Sequence, residues 1–262
     1  MKKIISLFLV AVTLVLTGCF EVTQDLTINK DGSGTLSSTT DMSQMVTLAM
    51  QMAGDKFKDQ KMNMDTTIPF KNVLDSIKDM SPANKELLKN GNVHVVMKMD
   101  DSKYLVNSTI PFKTIGDVEK INSAMQKEVS GKFLDNAMKE AMKQASKEDS
   151  SAMTGLGQHQ SPQLSLPENY FILTCKNGVI SRTADKTKLA TLEQDEMLNQ
   201  MKQIGAMGAS LKTNFVINLP KPAKKIEGKN VKVSDDKKTI TIANELNDLY
   251  DDPALFEFRV EY

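Results

Sequence analysis

The chain has 262 residues, with 33 Lys and Arg against 33 Asp and Glu, and 40% of it is hydrophobic. That length holds one large or two small domains, and a balanced, evenly mixed charge excludes the basic patch with interleaved aromatics on which nucleic-acid binding rests. Trp is absent and aromatic residues make up only 5% of the chain, which argues against surfaces that hold sugars or single strands on stacked rings.

Lys2 and Lys3 precede an uncharged apolar run from Ile4 to Leu16, and the small residues Thr17 and Gly18 then lead into Cys19. This order predicts a secretory signal. The run is shorter than the roughly 20 residues of a spanning helix, so a permanent transmembrane anchor is not expected. Leu16-Thr17-Gly18-Cys19 resembles the lipobox of bacterial lipoproteins. The resemblance implies removal of residues 1–18 by cleavage between Gly18 and Cys19, a diacylglyceryl group on the Cys19 sulfur, and acylation of the new amino terminus. Several acyl chains on one residue anchor stably where a single chain is marginal, at about 0.8 kcal/mol per buried CH2. The expected partner of Cys19 is therefore a membrane that the protein is tethered to and does not cross. Phe20 stands where a retention signal would place an aspartate, which favours the outer membrane in a cell that has two.

Val22, Leu26 and Ile28 alternate with polar residues and run into Asn29-Lys30-Asp31-Gly32-Ser33-Gly34, which predicts a hairpin with a glycine-bearing loop. Asp31 and Gly32 lack the spaced carboxylates and distal Glu of a calcium loop. Asp41 is placed to cap a helix whose apolar stripe runs Met42, Met45, Val46, Ala49, Met50 and Ala53. "KMNMDTTIPFKNVLD" at 61–75 is echoed at an offset of 42 residues by "KYLVNSTIPFKTIGD" at 103–117. Each copy reads as an extended segment stopped by proline, followed by a helix with Asn72 or Thr114 as N-cap. An internal strand-helix duplication and convergent use of one turn are both open.

Between the copies, Val93, Val95, Met97 and Met99 share one face of a strand and His94 lies on the other, its simplest role being that of a solvated residue. From Thr114 to Ala145 a continuous apolar stripe predicts one long amphipathic helix or two stacked ones, with a mixed-charge outer face. Residues 150–167 carry no charge and are rich in Ser, Gly, Gln and Pro, as a loop or linker would be. Asn177-Gly178 between apolar runs is a strong two-residue hairpin signal. Leu189, Leu192, Met197, Met201 and Ile204 predict a further helix, and strands return in "NFVINLP", "NVKVS", "TITIA" and "LFEFRVEY". The stretches "FVINLPKP" and "KTITIANELNDL", with a glycine-bearing hairpin soon after the lipidated cysteine, resemble LppM-like bacterial lipoproteins, although the tryptophan expected near the second stretch is missing. That resemblance implies a fold and transfers no site residues.

The expected fold is α+β, with antiparallel hairpins forming one or two sheets under long amphipathic helices. The regions are 1–18, an N-terminal region 19–149, the linker 150–167 and a β-rich region 168–262 that can belong to the same domain. Catalytic motifs are missing: there is no Gly-x-Ser-x-Gly elbow, no phosphate-binding Gly-x-x-x-x-Gly-Lys loop, and neither His94 nor His159 belongs to a zinc-like pair. Cys175 lies in the apolar "YFILTCKNG" and reads as a small buried hydrophobe. The expectation is a non-catalytic envelope lipoprotein without cofactor that binds a protein partner or an apolar ligand. Two alternatives stand beside it. Among 17 methionines are the pairs Met50/Met52, Met62/Met64 and Met97/Met99; Met62 and Met64 belong to no core stripe, so Met62, Met64, Met97 and Met99 form a soft thioether set suited to Cu(I). The other alternative is an enzyme with a carboxylate site assembled by the fold.

Overall fold

Phe20, Val22, Leu26 and Ile28 alternate with Glu21, Thr23, Asp25 and Thr27, and a period of two sends the sets to opposite faces of a strand: the first set is buried, the second is not. The computed structural model describes residues 18–44, 47, 63–75, 77, 80–126, 166–206 and 209–262. Outside them lie the signal segment up to residue 17, most of the helical stripe that starts at Met42, the amphipathic stretch beyond Gln126, residues 150–165 and His159.

The strands are β1 (Gly18–Ile28), β2 (Gly34–Asp41), β3 (Asn63–Pro69), β4 (Asn92–Lys98), β5 (Lys103–Phe112), β6 (Phe171–Lys176), β7 (Val179–Ala184), β8 (Ala209–Asn218), β9 (Lys225–Gly228), β10 (Val231–Val233), β11 (Thr239–Glu245) and β12 (Phe258–Glu261). Among the described residues they form an eight-stranded sheet, β10-β11-β8-β1-β2-β5-β4-β3, and a four-stranded sheet, β6-β7-β12-β9. The helices are α1 (Lys71–Leu74), α2 (Pro82–Leu88), α3 (Asp117–Ala124), α4 (Lys186–Leu189), α5 (Glu196–Ala206) and α6 (Leu246–Asp251). The architecture is α+β. Every strand pair is antiparallel except β1 with β8, which run parallel in the middle of the large sheet, so strands from both sides of residues 150–167 share one sheet.

Local chemistry explains the turns. Gly32 takes a φ of 82° in the β1–β2 connection, where Asp31 accepts from the Ser33 amide at 3.0 Å. Asn177 and Gly178 have φ of 54° and 73°, the left-handed pair that a tight β6–β7 hairpin requires. Asp41 closes the end of β2, accepting from the Ser43 amide at 2.9 Å.

One face of the large sheet is buried. At its β3–β5 end it packs on Val73, Leu74, Leu88, Val118 and Ile121 of α1, α2 and α3; at its β8–β11 end it packs on the small sheet, through Phe215, Ile217, Ile240 and Ile242 against Ile180, Phe258 and Val260. A second cluster gathers Phe20, Val22, Tyr170, Phe171, Leu198, Leu211, Leu246, Leu249 and Phe256. The opposite face of the large sheet is a ladder of short polar side chains. Asn218 donates to Asp25 and Thr27, Asn214 to Glu21, Asn107 to Thr39, and Ser37 pairs with Thr109 at 3.2 Å.

The two sequence echoes flank one strand, since β3 and β5 both pair with β4, and their equivalent residues Ile68 and Ile110, Phe70 and Phe112, are buried. Beyond the phenylalanines they differ. Thr114 is not the N-cap: Gly116 precedes α3 in that role, and Thr114 instead donates its amide to the Asp117 carboxylate at 3.2 Å while its carbonyl accepts the Asp117 amide at 2.9 Å. Asn72 is not an N-cap. The Phe70 amide stays bonded to the Gly91 carbonyl while the Phe70 carbonyl already accepts from Val73 and Leu74, so α1 starts at Lys71 with no intervening cap residue.

Candidate functional site

The residue with the most specific sequence signal, Cys19, enters the fold at once. Its backbone is in β1, in register with Ser210 of β8, and Gly18 is in register with Ala209. Phe20, the next residue, is already buried.

Cys175 belongs to the small sheet and is 1% exposed. Its thiol is pushed up to about 12, first by burial and then by the charge of Glu119. Glu119 accepts from the Cys175 amide at 2.6 Å, which joins α3 to the edge strand β6 and occupies an edge N–H that would otherwise be open to another chain. A thiol held in that state is a poor nucleophile. His94 is on the polar face of the large sheet, with its Nε2 2.7 Å from Asp65 Oδ1 and both side chains about half exposed. That hydrogen bond holds the Asp65 carboxyl below its usual range, with smaller help from Lys98 and Lys103. Cys175 and His94 therefore sit in different sheets.

Of the thioether set, Met62 lies outside the described residues. Met64 and Met97 are direct cross-strand partners of β3 and β4. They and Met99 are all buried in the main core. The expectation that no core stripe claims Met64 is corrected: Met64, Thr66 and Ile68 face inward together, and the threonine between the two apolar residues hides the period in the sequence. Among the described residues no group of three or more His, Cys, Asp and Glu is placed to hold a metal ion. No described helix is long and apolar enough to cross a membrane.

No protein-family model matches this chain, and no curated protein matches it. Among solved structures it is similar to the folded domain of the Mycobacterium tuberculosis protein LppM, determined by NMR, with a TM-score of 0.34 and 10% identity over 94% of this chain and 91% of that one. A likeness of that degree assigns no residue a role.

The feature that sequence reading missed is Arg182. It is 4% exposed, on the inward face of β7 between the two hydrophobic clusters. Its guanidinium carbon lies 5.5 Å from the ring centre of Phe171, 5.0 Å from Phe215, 5.8 Å from Phe256 and 5.1 Å from Phe258. Phe171 stacks on Phe256 and Phe215 tilts against Phe258, so two ring pairs enclose the cation. Its Nε donates to the Phe256 carbonyl at 2.7 Å. Burial pulls the guanidinium down to about 10, opposed by Glu168, so it stays charged at neutral pH. Glu168 is itself buried, in the single turn Pro167–Tyr170. Its carboxyl is raised by desolvation, with Arg182 pulling the other way, and its Oε2 has no hydrogen-bond partner among the described residues. The sequence carried a usable signal: the Asn177-Gly178 turn sets Cys175 opposite Ile180, and counting two onward from Ile180 puts Arg182 inside.

Proposed function

We propose that this chain is a cell-envelope lipoprotein, anchored to a bacterial membrane through acylated Cys19 after cleavage between Gly18 and Cys19, whose folded body is a non-catalytic module that binds a protein partner or an apolar ligand. The observation that carries the anchor is the order of a basic pair, a short apolar run and Leu16-Thr17-Gly18-Cys19, which runs directly into the first strand. The binding role draws support from the adaptable methionine stripe that starts at Met42 and from the uncharged segment 150–167. The separate placement of Cys175 and His94, the first deeply buried and the second paired to Asp65, also speaks for a body without nucleophilic chemistry.

Cys19→Ser is expected to leave the precursor uncleaved and free of metabolically incorporated fatty acid; normal labelling of that variant overturns the anchor. Crosslinking in intact cells with and without residues 150–167 then tests the module, since capture of one defined protein or lipid by the intact chain alone supports it. A second reading, Cu(I) binding, is favoured by the direct pairing of Met64 with Met97. Failure of the purified protein to take Cu(I) from a competing chelator under anaerobic conditions excludes it.

A further inference from the structure

The start of β1 leaves no room for a tether. Cys19 is hydrogen-bonded into the large sheet beside Ser210, and Phe20, one Cα step of about 3.8 Å further on, is in the core. Acyl chains on residue 19 would thus pull one defined end of the sheet to the lipid surface. The register identifies that end. Glu21 is level with Asp41, Asp41 with Leu105, and Leu105 with Val96. One further step of two residues past each, toward Cys19, reaches Lys103 and Lys98, which are direct partners of each other, and then the turn containing the exposed Asp100 and Asp101. Lys212 and Glu245 are partners at the same end.

Two features give this end a chemistry. Lysines directly opposite each other on neighbouring strands repel, so the Lys98–Lys103 pair is a place where a phosphate would be welcome. Asp100 and Asp101 lie in the turn between the lysines, Asp41 is level with Leu105 on the neighbouring strand, and Asp65 lies close enough to feel both lysines, while Glu21 and Glu245 stand farther along the same end. An end of mixed sign matches a headgroup that carries both a phosphate and an ammonium.

Building on the anchored reading above, we infer that the folded body stands on its lipidated end, with the Lys98–Lys103 turn and the start of β1 against the headgroups of a zwitterionic phospholipid bilayer and the β1–β2 turn at Lys30 pointing away. At about 3.3 Å per residue, the ten steps from Gly18 to Ile28 put that far turn some 30 Å above the surface, well beyond a headgroup layer of roughly 5–8 Å.

The chain contains no Trp, so an introduced one reports alone. Asp100→Trp and Asp101→Trp probe the near end while keeping both lysines, and Lys30→Trp probes the far end, all at exposed positions. The full-length acylated protein, its Cys19 modification verified by mass and its anchoring by flotation, is placed in phosphatidylcholine vesicles carrying a headgroup spin-label quencher. The near-end variants are expected to lose most of their emission and Lys30→Trp to keep nearly all of it. Equal quenching at both ends, or no quenching at residues 100 and 101 in a protein that floats, overturns the orientation while leaving the anchor intact. An unacylated Cys19 overturns both, and is seen before any emission is read.

Discussion

Arg182→Met removes a buried charge while keeping a long apolar side chain in place. The Nε bond to the Phe256 carbonyl is lost, leaving a buried acceptor at a cost of about 1–3 kcal/mol. Cation–π contacts with four rings also go, worth up to about 2 kcal/mol for a desolvated contact of good geometry. In the opposite direction, the desolvation penalty of a buried guanidinium, several kcal/mol, disappears. These effects largely offset one another, and the remainder is Glu168, a buried carboxyl deprived of the cation that acts on it. The charge of Arg182 acts on Glu168 through space, so Arg182→Met is expected to lose about 1–3 kcal/mol near pH 7, the cost of a buried polar group left worse satisfied, and Arg182→Met with Glu168→Gln to regain most of it. The pH dependence has a definite sign. The Glu168 carboxyl is raised on folding above 4.5, and removing Arg182 raises it further. Stability from a raised carboxyl is fully present below its unfolded pKa and is lost as pH rises through its folded one, so the Arg182→Met deficit should shrink as pH falls toward 4.5. Urea unfolding followed by circular dichroism, on the wild type, both single variants and the double variant near neutral pH and near pH 5, measures this. If Arg182→Met costs the same with Glu168 present or replaced, and the same at both pH values, the two buried groups are not coupled and the reasoning fails.

A Cβ on Gly34 would lie 1.9 Å from the Thr27 carbonyl oxygen and 2.6 Å from the Phe112 ring, so Gly34→Ala should destabilise by about 3 kcal/mol or more, read as a lowered urea midpoint. Cys175 is expected to resist alkylation in the native protein and to react once urea unfolds it; fast native labelling would contradict its burial and raised pKa. Met64→Leu and Met97→Leu conserve volume in the core, so each should cost less than about 1.5 kcal/mol in the same urea assay. A larger loss that appears only when Cu(I) is present would favour the metal reading.

What the sequence made legible was local. The Asp31-Gly32 and Asn177-Gly178 turns and the Asp41 cap are settled by residues within four positions of each other, whereas Gly116 and not Thr114 caps α3. The alternation of Val93, Val95 and Met97 gave their shared buried face for the same reason. Strand order was not legible, because the pairing of β1 with β8 depends on two inward-facing surfaces that carry no mark of each other. The inward turn of Met64 was hidden by Thr66, and Asn72 was displaced by a backbone bond from Phe70 to Gly91 that no local pattern announces. Arg182 could have been placed inside by counting from the hairpin; its charge made the opposite face look natural. The end of the sheet that holds Cys19 was not legible, because linking it to Lys98 and Lys103 required the register of four strands.

The parallel seam between β1 and β8 also sets a timetable. Asn214 bonds to Thr23 across 191 residues of chain, whereas β1 meets β2 through a short turn. Closing so long a loop is entropically costly, and contacts of this range slow folding far more than local ones. During synthesis, the first strand emerges with one edge soon paired and the other bare, and that edge stays an aggregation-prone template until Ala209–Asn218 arrives. Completion of the large sheet therefore waits on roughly the last fifth of the polypeptide, and a chain interrupted before β8 carries a half-built sheet with its central strand exposed.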